Sequence, residues 1–277
     1  MKKATLKKLA CCICAAATSS VALATFASCE TSYPKAEIVV SFNDVDYTLN
    51  YELARKLAPA TVRHFIELAD NGFYDGVCIH DYSATKWITG GYKMQGDELE
   101  EIDYFNVVSS YGLTQSVWLL PDKQSPTDTV YGEFTKNSYK VSSGAWKQTY
   151  GSLSMFYTDK TTDEEVYVDR FDGEGQSYKS YKYNSATSLF YFYVSSSQTS
   201  SDNYCTFGKL VDKSKDTFDS LVSAISDYAE DTYGDEGFTT SEKLSANKGD
   251  LLETNTTVTA NVPKKPIIVK SVNIKKY

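Results

Sequence analysis

The stretch LAPATVRHFIELADNGFYDG (residues 57–76), followed directly by VCIHDYSATKWITGG (residues 77–91), decides how this chain folds. Pro59 suits a first helical turn, where its missing N–H costs nothing. Val62, Phe65, Ile66 and Ala69 recur at helical spacing, and Gly72 supplies a stop. The segment reads as an amphipathic helix. Residues 77–82 and 86–88 then change to strand-like patterning. Within the first of these runs His80 stands beside Asp81, an adjacency that invites reading as an acid/base dyad. Consecutive side chains on a strand point to opposite faces. The pair therefore reads as a core histidine next to an exposed acid, and no Gly-x-Ser-x-Gly elbow or other nucleophile motif accompanies it.

On either side of this stretch the chain is mostly β-like, with 14% aromatic residues, among them 22 Tyr. Residues 37–42 and 46–51, with Asn43-Asp44 between them, read as a hairpin. Further strand-like runs fall at 151–157, 189–194, 205–211 and 267–274. A second helix is expected over about 216–229, with Phe218, Leu221, Val222 and Ile225 on one side. Many strands with two helices far apart in sequence point to a closed β-structure plugged by helices. Polar stretches near 98–130, 158–183 and 230–262 lack clean periodicity and read as surface insertions.

Residues 1–28 stand apart. Lys2, Lys3, Lys7 and Lys8 precede an apolar, uncharged run over 9–24, the pattern of an export signal, and one too short to span a membrane comfortably. Ala22-Leu23-Ala24 offers a small-x-small cleavage site, which would release a secreted product. Phe26-Ala27-Ser28-Cys29 resembles a bacterial lipobox, in which Cys29 would carry the lipid and begin the mature chain, with a short linker over 29–36. Small residues before Cys29 and polar ones after it favour the lipoprotein. The protein is thus expected outside the cytoplasm, held to the cell membrane by its N-terminal lipid. Loss of residues 1–28 removes four Lys and no acid, moving the net charge from −8 to −12. Such a chain is a poor partner for nucleic acid or for anionic lipid surfaces.

Of six Cys, Cys11, Cys12 and Cys14 lie in the signal. Cys78 and Cys205 remain, and their apolar flanks suit buried thiols, with a disulfide between them the open alternative. Together with His64 and His80 they form no ligand set of metal-site spacing, and no cofactor is expected.

Pro59-Ala60-Thr61-Val62, Phe65, Leu68-Ala69 and Gly72-Phe73-Tyr74-Asp75-Gly76 resemble the first helix and turn of the cyclophilin-type peptidyl-prolyl isomerases, A-P-x-T-V-x-N-F-x-x-L and G-F-Y-D-G. Laid on without gaps, Ile79-His80-Asp81 covers the family's F-H-R. Lys86-Trp87-Ile88-Thr89-Gly90-Gly91 covers F-M-I-Q-G-G. The resemblance continues in order through Gly132-Glu133-Phe134 with Asn137, Gly151-Ser152-Leu153-Ser154-Met155, the run 184–192 (NSATSLFYF), Tyr204-Cys205-Thr206-Phe207-Gly208-Lys209 and the closing run 266–272.

This resemblance implies an eight-stranded antiparallel barrel capped by two helices over 37–277, acting as a monomer on Xaa–Pro bonds of exported polypeptides. Rotation about such a bond faces about 18–20 kcal/mol. The family lowers it without a covalent step, holding the proline ring in an apolar pocket while an Arg and two Gln donate hydrogen bonds to the twisted amide. Here Asp81 stands at the Arg position, and Thr89 and Leu189 stand at the Gln positions. Lys86, Trp87 and Tyr191 fall on pocket residues. Replacing a fixed cationic donor by an anionic acceptor implies reduced catalytic power or none, leaving a peptide-binding module as the alternative. Trp87, Tyr191, Tyr157 and Tyr204, with Asp81, are expected to line an aromatic groove for an extended, proline-containing peptide.

Overall fold

The computed structural model describes residues 31–157, 165–180, 185–198, 202–245 and 257–277, the side chains of 177–180 and 185 excepted. The export signal, Cys29 and parts of the second and third polar stretches lie outside the described residues. The chain opens with β1 (Lys35–Phe42) and β2 (Val45–Leu53). Their turn holds Asn43 and Asp44 at φ 48° and 63°, the left-handed pair that a tight hairpin needs. Then come α1 (Pro59–Asp70), β3 (Val77–Cys78), β4 (Asp81–Tyr82), β5 (Lys86–Thr89), β6 (Tyr92–Gln95), β7 (Glu98–Glu101), a short α2 (Tyr104–Val108), β8 (Val117–Trp118) and β9 (Val130–Tyr131). The second half contributes β10 (Leu153–Met155), β11 (Glu165–Asp169), β12 (Gln176–Ser180), β13 (Ser185–Ala186), β14 (Phe190–Tyr193) and β15 (Thr206–Leu210). It ends with α3 (Lys215–Tyr233), β16 (Thr239–Ser245), β17 (Thr257–Pro263) and β18 (Ile267–Lys276).

Neighbouring strands follow the order β4-β5-β14-β10-β15-β2-β1-β18-β3, every pair antiparallel. β3 and β4 are two parts of one extended run. Val77 and Cys78 pair with β18, whereas Asp81 and Tyr82 pair with β5. The run therefore joins both ends of the sheet and closes it into the eight staves that the resemblance implies. The β6–β7 hairpin hangs from β3.

α1 buries Val62, Phe65, Ile66, Leu68 and Ala69. The Phe65 ring lies 5.4 Å from Phe190 and 4.9 Å from Phe207. No side chain of α1 itself caps its N-terminus. The buried Glu133 does so from a distance, accepting from the N–H groups of Ala60 (3.2 Å) and Thr61 (2.9 Å), the Thr61 hydroxyl (2.7 Å) and the Tyr139 hydroxyl (3.2 Å). Burial raises the pKa of Glu133 despite these donors. α3 buries Phe218, Leu221 and Ile225 and extends past the expected 216–229, because Tyr228 packs edge-on against Phe42 and Tyr233 stands beside Phe238. No helix among the described residues is long and apolar enough to cross a membrane.

The polar stretches contain secondary structure of their own. β8, β11 and β12 form a small sheet whose Val117, Val166 and Val168 are buried with Tyr131. β16 and β17 form a separate two-stranded hairpin.

Candidate functional site

Register decides which side chains share a face, because residues directly opposite in an antiparallel pair point the same way. On the outer face one row crosses five strands: Asp81 opposes Ile88, Ile88 opposes Tyr191, Tyr191 opposes Ser154, and Ser154 opposes Thr206. The adjacent row points inward, running Tyr82, Trp87, Phe192, Leu153 and Gly208. Gly208 is required there, since a Cβ would lie 2.7 Å from Leu153 Cδ1.

Trp87 therefore belongs to the barrel interior and not to a groove. It is 2% exposed, stacks on Tyr82 at 5.4 Å and meets Phe218 at 5.8 Å. Thr89 shares its inward parity and donates its hydroxyl to the Cys78 carbonyl at 2.8 Å, so it cannot serve as a groove donor. Parity alternates along β5, so Trp87 and Thr89 share the inward face while Ile88 takes the outward one. Tyr157 also departs from the expected groove. Half-buried, it packs edge-on to Phe134 (4.9 Å) against the core.

Tyr191 does lie on the outer row, but it is covered there. Its hydroxyl accepts from Gln148 Nε2, which also reaches Ser154 Oγ at 3.4 Å, and Ser154 Oγ and Thr206 Oγ1 are 3.0 Å apart. Burial pushes the Tyr191 pKa up. The Lys86 ammonium sits over the Tyr191 ring (4.9 Å) and over that of the half-buried Tyr204 (4.7 Å).

At the other end of the row a cavity of about 190 Å³ is lined by Asp81, Ile88, Leu189, Phe156, His80 and Tyr92 from the barrel side. Its other wall is the β16–β17 hairpin, through Leu244, Ser245, Val258, Thr259 and Ala260. Ile88, Gln148 and the hairpin residues were not anticipated from sequence, whereas Phe156 falls directly after the Ser154-Met155 block of the resemblance. Parity along β5 is the signal that would have found Ile88.

His80 and Asp81 do not work together. Asp81 Oδ1 accepts the backbone N–H of Asn261 at 3.0 Å. The His80 ring lies 4.8 Å from that of Tyr92, and its buried Nδ1 has no hydrogen-bond partner among the described residues. Burial lowers the His80 pKa to about 4, leaving a neutral imidazole at pH 7. The other titratable core groups are equally quiet. Cys78 and Cys205 are free and buried rather than disulfide-linked, and burial raises the Cys78 pKa to about 12. No group of His, Cys, Asp and Glu among the described residues could hold a metal ion. The arginines Arg55, Arg63 and Arg170 are engaged elsewhere, at the Thr31 carbonyl, over the Phe171 ring and with Asp172.

The model of the cyclophilin type peptidyl-prolyl cis-trans isomerase/CLD family matches residues 38–236, and the chain belongs to that family. Two crystal structures of a cyclophilin type peptidyl-prolyl cis-trans isomerase from Cryptosporidium parvum are similar to it. One is 18% identical, with a TM-score of 0.40, and the other, in the presence of the dipeptide Ala-Pro, is 16% identical, with a TM-score of 0.43. In both cases 88% of this chain and 99% of the other are covered. No curated protein sequence matches the chain. The β16–β17 hairpin lies beyond the residues that the family model matches.

Proposed function

We propose that this is a lipid-anchored cyclophilin domain that binds proline-containing segments of exported polypeptides outside the cytoplasm, acting as a monomer with strongly reduced isomerase turnover. The observation carrying the reading is Asp81. It ends the outer row, where it accepts the Asn261 N–H, and the motif resemblance sets it at the family's arginine position, a carboxylate where a donor is needed. An acceptor there opposes the carbonyl oxygen of a twisting amide, and loss of one preorganised donor lowers turnover about 10²–10³-fold in comparable sites. The apolar walls of Ile88, Phe156 and Leu189 still suit a proline ring. A protease-coupled proline-isomerisation assay on the purified protein, run beside peptide titration, tests this. Binding with slow turnover supports it, and brisk turnover or absence of peptide binding refutes it.

A second reading, a peptide-binding module with no turnover, is favoured by the hairpin over the cavity. The same assay separates the two. Membrane attachment rests on the lipobox-like residues ending in Cys29. Detergent-phase partitioning that disappears in Cys29→Ala supports it, and unchanged partitioning refutes it.

A further inference from the structure

The β16–β17 hairpin roofs one end of the outer row, across the cavity bounded by Asp81, Ile88, Phe156 and Leu189. Its seven residue pairs run from Thr239 opposite Pro263 to Ser245 opposite Thr257. One face is apolar: Leu244, Ala260 and Val262 are buried with Cys78 and Tyr92, while most of β16 is exposed. The hairpin forms its own two-stranded sheet, without ladder pairing to the barrel. Among the described residues, hydrogen bonds tie it down from Asn261 N–H to Asp81 Oδ1 (3.0 Å), from the Tyr92 hydroxyl to the Ser245 carbonyl (2.6 Å), and from Ser245 Oγ to Glu101 Oε1 (3.0 Å). Isolated two-stranded hairpins are marginal in water, so its order depends on this docking. The space left between the hairpin and the end of the outer row, about 190 Å³, is too small for a peptide of several residues, and a second cavity of about 580 Å³ opens on the hairpin's other side, against β6 and β7.

Resting on the peptide-binding reading above, we infer that the hairpin is an intramolecular competitor for the groove, with Asp81 as its latch. Peptide and hairpin exclude one another, because the hairpin packs on Cys78 and Tyr92 and roofs the cavity whose floor is Ile88, Phe156 and Leu189. The carboxylate at the family's arginine position thus has a positive use. It holds the N–H of Asn261, a strand donor that a guanidinium cannot satisfy. The hinge is built in: Lys264 N–H donates to the Phe238 carbonyl at 2.9 Å, so the base of the hairpin stays pinned while the rest leaves.

The same bond makes the test practical, since the ends at Phe238 and Lys264 are already adjacent and two glycines can replace residues 239–263. In the detergent-solubilised full chain, affinity for a fluorescein-labelled peptide with a central Ala-Pro is measured by anisotropy for three proteins: the natural chain, the excision and Asp81→Ala. The excision is expected to bind at least about 10-fold more tightly, with Asp81→Ala between the two. Hydrogen exchange provides a second readout that needs no excision. Amides of 239–245 and 257–263 exchange about 10-fold faster in Asp81→Ala, and also on adding peptide to the natural chain, while barrel amides do not change. Equal affinity for the natural chain and the excision overturns the competitor and leaves peptide binding standing. Peptide binding by neither overturns both. Unchanged hairpin exchange in Asp81→Ala overturns the latch.

Discussion

Moving this protein from pH 7 to pH 5 is expected to remove about 4 kcal/mol of stability, through its two histidines alone. His64 and His80 are both buried, and burial lowers each pKa to about 4, against about 6.5 in the unfolded chain. For His64 the Thr187 carbonyl, which accepts from Nε2 at 3.0 Å, offsets burial only in part, and Arg63 adds to the lowering. The folded state therefore binds fewer protons than the unfolded state between pH 4 and 6.5. Stability is complete above that window and falls as pH drops through it. At pH 5 each histidine forfeits about 2 kcal/mol by linkage, a large share of a domain's usual 5–15 kcal/mol. Glu133 acts in the opposite sense. Its raised pKa lets the folded state take up a proton first, so it trims the loss. Asp172, held at about 2 by Arg170 and two backbone N–H groups, contributes only at lower pH. Urea unfolding followed by fluorescence at pH 7, 6 and 5 measures the slope. The double substitution His64→Gln and His80→Phe should start less stable at pH 7 but lose most of the pH dependence. A flat curve for the natural chain, or an undiminished slope in the double variant, would refute the linkage.

Other perturbations probe the packing. Trp87→Ala should cost about 3–5 kcal/mol, seen as a lower urea midpoint, because the indole fills the barrel beside Phe218 and Phe192. An unchanged midpoint with weakened peptide binding would return Trp87 to the groove. Glu133→Ala strands two helix N–H groups and two hydroxyls and is expected to lose about 2–4 kcal/mol in the same assay. Gly90→Ala should be comparably damaging, since φ is +92° and a Cβ would lie 2.3 Å from the Ser188 carbonyl oxygen; native-like stability would contradict the backbone geometry. Cys78 and Cys205 should resist a thiol reagent in the native state and react on unfolding, and fast native reaction would contradict their burial.

The barrel was legible because its longer staves carry their own patterning. β1 and β2 alternate around a turn with the right residues, and α1 has a proline start and a glycine stop. The absence of a His80–Asp81 dyad was expected, but on a strand geometry that the structure does not keep: His80 lies between β3 and β4, and both side chains border the same cavity. Trp87 and Thr89 were not legible, because a motif overlay carries letters while burial follows parity, and both sit on the inward parity of β5. Two-residue strands such as β8 and β13 have no period to read. β11 did alternate, with Val166 and Val168 buried, yet it lay inside a stretch dominated by Asp, Thr and Gly. The hairpin was the largest omission. Nothing in TTSEKLS or TVTANVP says which surface the chain will cover, since that depends on contacts such as Asn261 to Asp81, 180 residues apart.

The decisive measurement is the proline-isomerisation rate of the natural chain beside the hairpin excision, each with and without Asp81→Arg. Slow turnover is expected in both proteins bearing Asp81, with a rise of about 10²-fold when the guanidinium is installed in the uncovered groove. Rapid isomerisation by the natural chain, or no gain from the arginine once the hairpin is gone, would show that the charge at this position does not govern the reaction.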